Sequence, residues 1–144
     1  MSIVNTSFSG ANKALINAIR KEVFILEQGV PPELEFDGLD DTAAHVLAFV
    51  NDQPVGTGRV LADGHIGRIA VLRDCRGQGL GAEIVLALVD EAAKAGCNEV
   101  YLGAQKHAVG FYEKLGFVAY GEDFMDAGIP HIHMKMSIGA ETGA

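Results

Sequence analysis

Arg76-Gly77-Gln78-Gly79-Leu80-Gly81 is the stretch of this 144-residue chain best suited to chemistry. Three glycines in five residues let the backbone turn tightly and approach a ligand without side-chain obstruction. A helical pattern opens in this turn, so unpaired N–H groups and the positive end of the helix dipole face whatever the turn holds. A phosphate or pyrophosphate is the natural occupant. Arg76 adds a full positive charge at the rim.

Three phosphate-binding patterns compete for the motif. A Walker loop is excluded, because no Gly-Lys-Ser/Thr follows. The dinucleotide fingerprint fits literally as Gly77-x-Gly79-x-x-Ala82, but it expects an acid about 20 residues on. Tyr101–Ala104 offers none, and too few strand–helix units follow to build a doubly wound sheet.

The third pattern comes with a second segment. Arg76-x-x-Gly79-x-Gly81 resembles the Arg/Gln-x-x-Gly-x-Gly/Ala pyrophosphate motif of the GNAT superfamily, the CoA-dependent N-acyltransferases. Downstream, Ala108-Val109-Gly110-Phe111-Tyr112-Glu113-Lys114-Leu115-Gly116-Phe117 resembles that superfamily's Ala-x-x-Phe-Tyr-x-Lys-x-Gly-Phe segment. The resemblance covers essentially the whole chain. Arg20-x-x-Val23-Phe24, Glu27-Gln28-x-Val30-Pro31 and Ala44-His45 are similar to a branch of small bacterial members.

The resemblance implies a fold and a chemistry. The fold is α/β (α+β), a mixed and mostly antiparallel sheet with splayed central parallel strands flanked by helices. The activity is direct transfer of an acetyl group from acetyl-CoA to a primary amine. Backbone groups of Ile69, Ala70 and Val71 would pair with the pantetheine amides, and an N–H there would stabilise the oxyanion. Gly77, Gln78, Gly79, Leu80, Gly81 and Ala82 would cradle the pyrophosphate beside Arg76. Tyr112 matches the tyrosine that returns a proton to the CoA thiolate. Gln105 stands where many relatives carry a cofactor-binding Asn. Phe111 packs on the pantetheine arm or in the core, and Lys114 reaches a CoA phosphate or lies exposed.

The amine must lose a proton. Candidate bases are Glu27, Glu35, Asp37, Asp40, Asp41, His45, His107, His131 and His133. Histidine needs the least tuning near neutrality. His131, entering the last strand on the acceptor side, is taken with Tyr112 as catalytic; Glu27, Glu35 and Asp37 are taken as acceptor contacts. His131 and His133 share a strand face, but without a third ligand no metal is expected. Two other readings stand beside this one. Arg20-x-x-Val23-Phe24 with Glu35-x-Asp37-x-x-Asp40 resembles a pattern of acyl-homoserine-lactone synthases, which share the fold but carry tryptophan, absent here. The other is a non-catalytic CoA-binding module.

The elements that must position these residues follow from periodicity and turn chemistry. Leu15, Ile16, Ile19, Val23 and Phe24 recur at helical spacing between Gly10 and Gln28, and Gly29-Val30-Pro31-Pro32 stops that helix. A strand is expected at Ile3–Phe8, an acidic loop at Glu33–Asp41, and a hairpin of Ala44–Val50 with Val55–Leu61. His65–Leu72 leads into the glycine turn and a helix over Gly79–Ala95. Asn98–Gly103 is a buried strand, His107–Leu115 a short helix, and Phe117–Tyr120 and Ile132–Ser137 the last strands. Hairpins first and a strand–helix–strand unit later imply a mixed sheet with helices packed on it.

Composition bounds the rest. Apolar residues at 49% and charged residues at 21% describe one globular domain over 1–144, with a frayed tail at 138–144. The net charge of −8 disfavours nucleic acid. Eight acids and no Lys or Arg lie between Glu22 and Gly58, while Arg59, Arg68, Arg73 and Arg76 surround the glycine turn. Such a division suits a cationic acceptor facing an anionic cofactor, or a solvated acidic surface. No apolar run approaches the ~18 residues of a membrane span, and the N-terminus lacks signal-peptide features, so a cytoplasmic location is expected. Cys75 and Cys97 read as reduced thiols. The acceptor is a small-molecule or peptide amine, and a homodimer is compatible with the resemblance.

Overall fold

Alternation along Ala44–Val50 sorts the molecule into layers. Leu47 joins Ile16, Ile19 and Val23 on one face of the strand, while Val46 and Ala48 join Ile84, Val85 and Leu88 on the other. The strand is therefore covered by a helix on each side. The computed structural model describes residues 2–138. In chain order the elements are β1 (Ser2–Thr6), α1 (Gly10–Arg20), α2 (Pro32–Glu35), β2 (Ala44–Val50), β3 (Gln53–Val60), β4 (Ile66–Val71) and α3 (Leu80–Lys94). Then come β5 (Glu99–Gln105), α4 (Val109–Lys114), β6 (Val118–Asp126) and β7 (Ile129–Ser137).

β1 to β4 form an antiparallel sheet in sequence order, and β5, β7 and β6 form a second antiparallel sheet in that order. The two meet through a parallel bridge between His65 and Tyr101. There the Tyr101 N–H donates to Gly64 O at 3.1 Å. Gly64 has φ +94°, and a Cβ on it would strike the Glu99 carbonyl oxygen, so only glycine lets the start of β4 lie against β5. Beyond the bridge the two strands part. This is the expected mixed sheet with splayed central parallel strands.

Helix α3 lies close on β3 because Gly56 and Gly58 leave room. A Cβ on Gly58 would stand 2.8 Å from Ile69 Cδ1 and from Ile84 Cγ2. Opposite Gly58, β4 carries two residues against one: Thr57 pairs with Ala70 and Arg59 with Gly67, leaving Arg68 and Ile69 in a bulge. Arg68 takes a left-handed backbone there, φ 53°.

Several boundaries differ from expectation, each for a local reason. The helix expected over Gly10–Gln28 changes geometry at Lys21–Glu27, a π-helical turn in which the Gln28 N–H reaches Val23 O at 3.1 Å. The acidic loop contains α2, opened by Pro32, and a 3-10 turn at Asp40–Thr42. The first strand ends at Thr6 rather than Phe8. The last two strands form a longer hairpin, because Ala127 (φ 51°) and Gly128 (φ 78°) make the tight turn that joins them. Gly121 (φ 75°), in the register shift between Tyr120 and Phe124, breaks the alternation that would have revealed it. Of the expected frayed tail, Ile138 is tied by its N–H to Asn98 O at 2.8 Å; residues 139–144 lie outside the described residues.

Candidate active site

The splay of β4 and β5 opens a cleft of about 860 Å³. One end is built by the glycine turn with Phe111 and Tyr112. The other is walled by Phe24, Gln28, Glu35 and Asp37 on one side and by Phe124, Ile129, His131 and His133 on the other.

At the first end, Gly77 (φ 78°) and Gly79 (φ 85°) adopt left-handed backbones, and a Cβ on either would meet nothing within 4 Å. The first closing bond of α3 runs from the Glu83 N–H to Gly79 O, 3.2 Å. The N–H groups of Leu80, Gly81 and Ala82 therefore have no partner within the helix. Phe111 packs over Gly81, with its Cζ 3.5 Å from where a Cβ would stand. A turn with open space at both Gly77 and Gly79, ending in unpaired N–H donors, is suited to an anion such as a pyrophosphate. Gln78 does not line the cleft, and Ala70 is buried in the core behind it. Ile69 and Val71 do line it.

Arg76 is held rather than free. Its Nε donates to Val71 O at 2.9 Å, and Nη1 and Nη2 donate to the two carboxylate oxygens of Glu27, each at 2.7 Å. The hydrogen bond from Arg76 keeps the Glu27 carboxyl below its ordinary value. Glu27 itself lies on a smaller adjoining pocket rather than on the main cleft.

Tyr112 is half-buried between Phe111 and Phe117, edge-on to both at centroid distances of 5.0 and 5.7 Å. Burial pushes its hydroxyl up to about 12, and that hydroxyl makes no hydrogen bond to another described residue. It remains a protonated phenol throughout the neutral range.

His131 lies on β7 opposite Gln105 of β5. Its Nδ1–H donates to Ile129 O at 2.7 Å. With the proton fixed on Nδ1, the neutral ring keeps its lone pair on Nε2. Phe124 stacks between His131 (5.6 Å) and His133 (4.3 Å), which holds both imidazoles upright on the wall. Gln105 donates to Gln28 Oε1 at 3.2 Å across the cleft and accepts from His107 Nε2 at 2.7 Å.

The acidic loop is not a bare anionic surface. Arg20, buried at 1% exposure, donates from Nε to Glu35 (2.7 Å) and from Nη1 to Asp40 (2.7 Å). Arg59 donates to Asp37 at 2.6 and 2.9 Å and to Asp40 at 2.8 Å. Arg68 closes the ring on Glu35 (3.3 Å) and Asp37 (3.2 Å). The hydrogen bond from Arg59 holds the Asp37 carboxyl far below the usual range. Burial acts to raise Asp40, but the bonds from Arg20 and Arg59 leave it lowered. For Glu35 burial prevails over Arg68 and Arg20 and pushes the carboxyl up. His45 is part of the same structure: its Nε2–H donates to Asp40 O at 2.9 Å, and burial lowers it. The Arg20…Asp40 pattern thus builds the loop onto the sheet. Asp41 and His107 do not line the cleft.

Sequence reasoning passed over His65, Tyr101 and Phe124 as site residues and counted Arg68 only among the cations around the glycine turn. His65 stacks on Tyr101 at 4.6 Å where the strands begin to part, and the Tyr101 hydroxyl donates to Asp63. The signal available for this pair was its position, His65 just ahead of β4 and Tyr101 near the start of β5. Alternation would have placed Arg68 by its neighbours' faces, and the bulge is what turned it. Cys75 lines the cleft beside the turn, while Cys97 lies apart from it; both are free thiols. No helix among the described residues is long and apolar enough to cross a membrane.

Comparison with known proteins agrees with this geometry. The family profile "Acetyltransferase (GNAT) domain" matches residues 10–138. The chain is 42% identical over 120 residues to the uncharacterized N-acetyltransferase YjcF of Bacillus subtilis, covering 81% of this chain and 86% of that protein. The crystal structure of Escherichia coli ElaA superposes with a TM-score of 0.85 at 29% identity, covering 94% of this chain and 99% of that one. An aminoglycoside 6′-N-acetyltransferase complexed with coenzyme A shares the fold at a TM-score of 0.73 and 18% identity, covering 93% and 96% of the two chains.

Proposed function

Because the chain belongs to the GNAT acetyltransferase family, we propose that it transfers an acetyl group directly from acetyl-CoA to the primary amine of an acceptor. The observation that carries this reading is the joining, in one cleft, of an anion cradle at the start of α3 and a protonated, unpartnered Tyr112. Residues 1–144 are taken as one such domain.

Acetyl-CoA supplies an activated thioester, and the chain supplies position and protons. Gly77 and the N–H groups of Leu80, Gly81 and Ala82 hold the pyrophosphate. Arg76, bound to Val71 O and Glu27, fixes the entry to that turn. The backbone of Ile69–Val71 pairs with the pantetheine amides, and an N–H there stabilises negative charge on the carbonyl oxygen. Holding amine and thioester together in the cleft removes much of the entropic barrier. His131 Nε2 accepts the proton of the amine, and the Tyr112 hydroxyl donates one to the departing thiolate. Glu35 and Asp37 act here through the arginines they hold, shaping the acceptor wall.

The test is calorimetric titration with CoA followed by thiol release from acetyl-CoA across a panel of primary amines. Saturable binding with amine-dependent thiol release supports the reading. Binding without release across the panel favours a CoA-binding module instead.

A further inference from the structure

Arg68 and Ala127 are the two cleft residues other than glycine with left-handed backbones, and of the two only Arg68 lies within a strand and carries a charge. Its left-handed backbone, φ 53°, is unusual for a side chain of this size and costs energy that a strand residue does not ordinarily bear. The bulge opposite Gly58 releases it from the alternation of β4, and its side chain lines the cleft at 24% exposure.

Two of its three guanidinium nitrogens are engaged. Nε donates to Glu35 O at 3.2 Å, and Nη2 donates to Leu34 O (3.2 Å), Glu35 O (3.1 Å) and Asp37 Oδ2 (3.2 Å). Nη1 has no partner among the described residues. It is not sealed from solvent either, since Asn17 Oδ1 is the one buried side-chain polar atom left without a partner there. The two N–H donors of Nη1 thus stay without a protein partner, on a side chain that its other bonds hold in place and that lines the cleft.

The charges around it balance without satisfying it. Arg20, Arg59 and Arg68 face Glu35, Asp37 and Asp40, three against three. Arg20 and Arg59 take the short contacts, 2.6 to 2.8 Å, and Arg68 is left with pairs at 3.3 and 3.2 Å. Burial lowers the Arg68 guanidinium from its ordinary value, and Glu35 and Asp37 do not restore it. Arg76, the other cation of the wall, is consumed by Glu27. Asp126, at the β6–β7 turn, is the one charged residue of the wall without an ion-pair partner among the described residues.

We propose that Arg68 Nη1 binds a carboxylate of the acceptor, so that the amine acetylated in this cleft belongs to an amino acid. This rests on the acetyltransferase reading. With Nε and Nη2 engaged, Nη1 can give a charge-assisted hydrogen bond to one oxygen of a singly charged carboxylate. A doubly charged phosphate would stand against Glu35 and Asp37. Asp126 complements the zwitterion by attracting the ammonium toward the cleft before its proton is lost.

The experiment compares amines matched except for the carboxylate: phenylalanine with phenethylamine, leucine with isopentylamine, and phosphoethanolamine as the phosphate arm. Wild-type enzyme should favour the amino acid of each pair by about 10- to 100-fold in kcat/KM. The corresponding carboxylates lacking the amine should inhibit competitively against the acceptor. Arg68→Lys should cut the preference to a few-fold while CoA affinity holds. Should that variant fold poorly, the wild-type pairs decide alone. Equal use of both members of each pair, or preference for phosphoethanolamine, overturns the carboxylate site and leaves the acetyltransferase reading intact. Transfer to none of these amines, nor to any of the wider panel, overturns both.

Discussion

Arg76 and Glu27 meet through two parallel hydrogen bonds of 2.7 Å, which join the cofactor turn to the end of the π-helical segment. Gln28, the next residue, lines the acceptor end. The pair therefore links the two ends of the cleft. Its side chains are partly exposed, 40% and 20%, so its share in global stability is small, below about 1 kcal/mol.

Glu27→Gln is expected to leave the unfolding midpoint nearly unchanged and to weaken CoA binding about 3- to 10-fold, since the turn loses its anchor. Calorimetric titration checks this. Tighter binding in the variant would mean that Glu27 competes with the phosphates for Arg76.

Arg20→Met tests the buried network. It strands Glu35 and Asp40 in the interior and should cost about 3–5 kcal/mol in urea unfolding at neutral pH. The pH dependence has a definite sign. Asp37 and Asp40 are lowered in the folded protein, so their contribution is complete above about pH 4 and fades as pH falls through their folded values. Glu35 is raised and acts in the opposite sense. Without Arg20 burial holds both stranded carboxyls higher than in wild type, so they take up protons above the ordinary carboxylate range and the deficit should shrink as pH falls from neutral through that range. A deficit constant with pH would show that lost packing, not charge, is responsible.

Tyr112→Phe should lower kcat about 100-fold or more with unchanged CoA affinity. Because burial holds the hydroxyl up to about 12, its proton is present from the neutral range up to pH 10 and beyond. Wild-type activity should show no decline toward pH 10 from its loss. A wild-type alkaline limb near pH 9 that vanishes in Tyr112→Phe would contradict this.

Gly58→Ala should destabilise the protein by about 1–3 kcal/mol, because the added methyl meets Ile69, Ile84 and Leu88 within 2.9 Å. The urea midpoint should fall with the slope unchanged. A neutral result would show that α3 can shift away from β3 at little cost.

What the chain declared openly was local chemistry. Gly77, Gly79 and the Phe111-Tyr112 segment pointed to residues that do meet at one end of the cleft, because turn geometry and helix starts depend on adjacent residues. Ala44–Val50 was legible to the residue because alternation and turn residues bounded it. The acceptor end was less so. Arg20, Arg59 and Arg68 meet Glu35, Asp37 and Asp40 across separations of 15 to 33 residues, and composition reports charge without pairing. The eight acids read as a face for a cation or as a solvated surface, whereas four of them, Glu27, Glu35, Asp37 and Asp40, are consumed by arginines. Arg68 was legible as a cation but not as a residue of the cleft wall, because a bulge depends on the partner strand; the π-helical turn was hidden because apolar spacing from Val23 to Leu26 fits either helix geometry.

The most direct measurement follows isotope-labelled acetyl-CoA, incubated with an amine acceptor, by mass spectrometry and thiol titration together. One labelled acetyl group on the amine for each thiol released, with both signals lost together in Tyr112→Phe, is the expected result. Thiol release without label on the amine, or undiminished transfer in Tyr112→Phe, would contradict it.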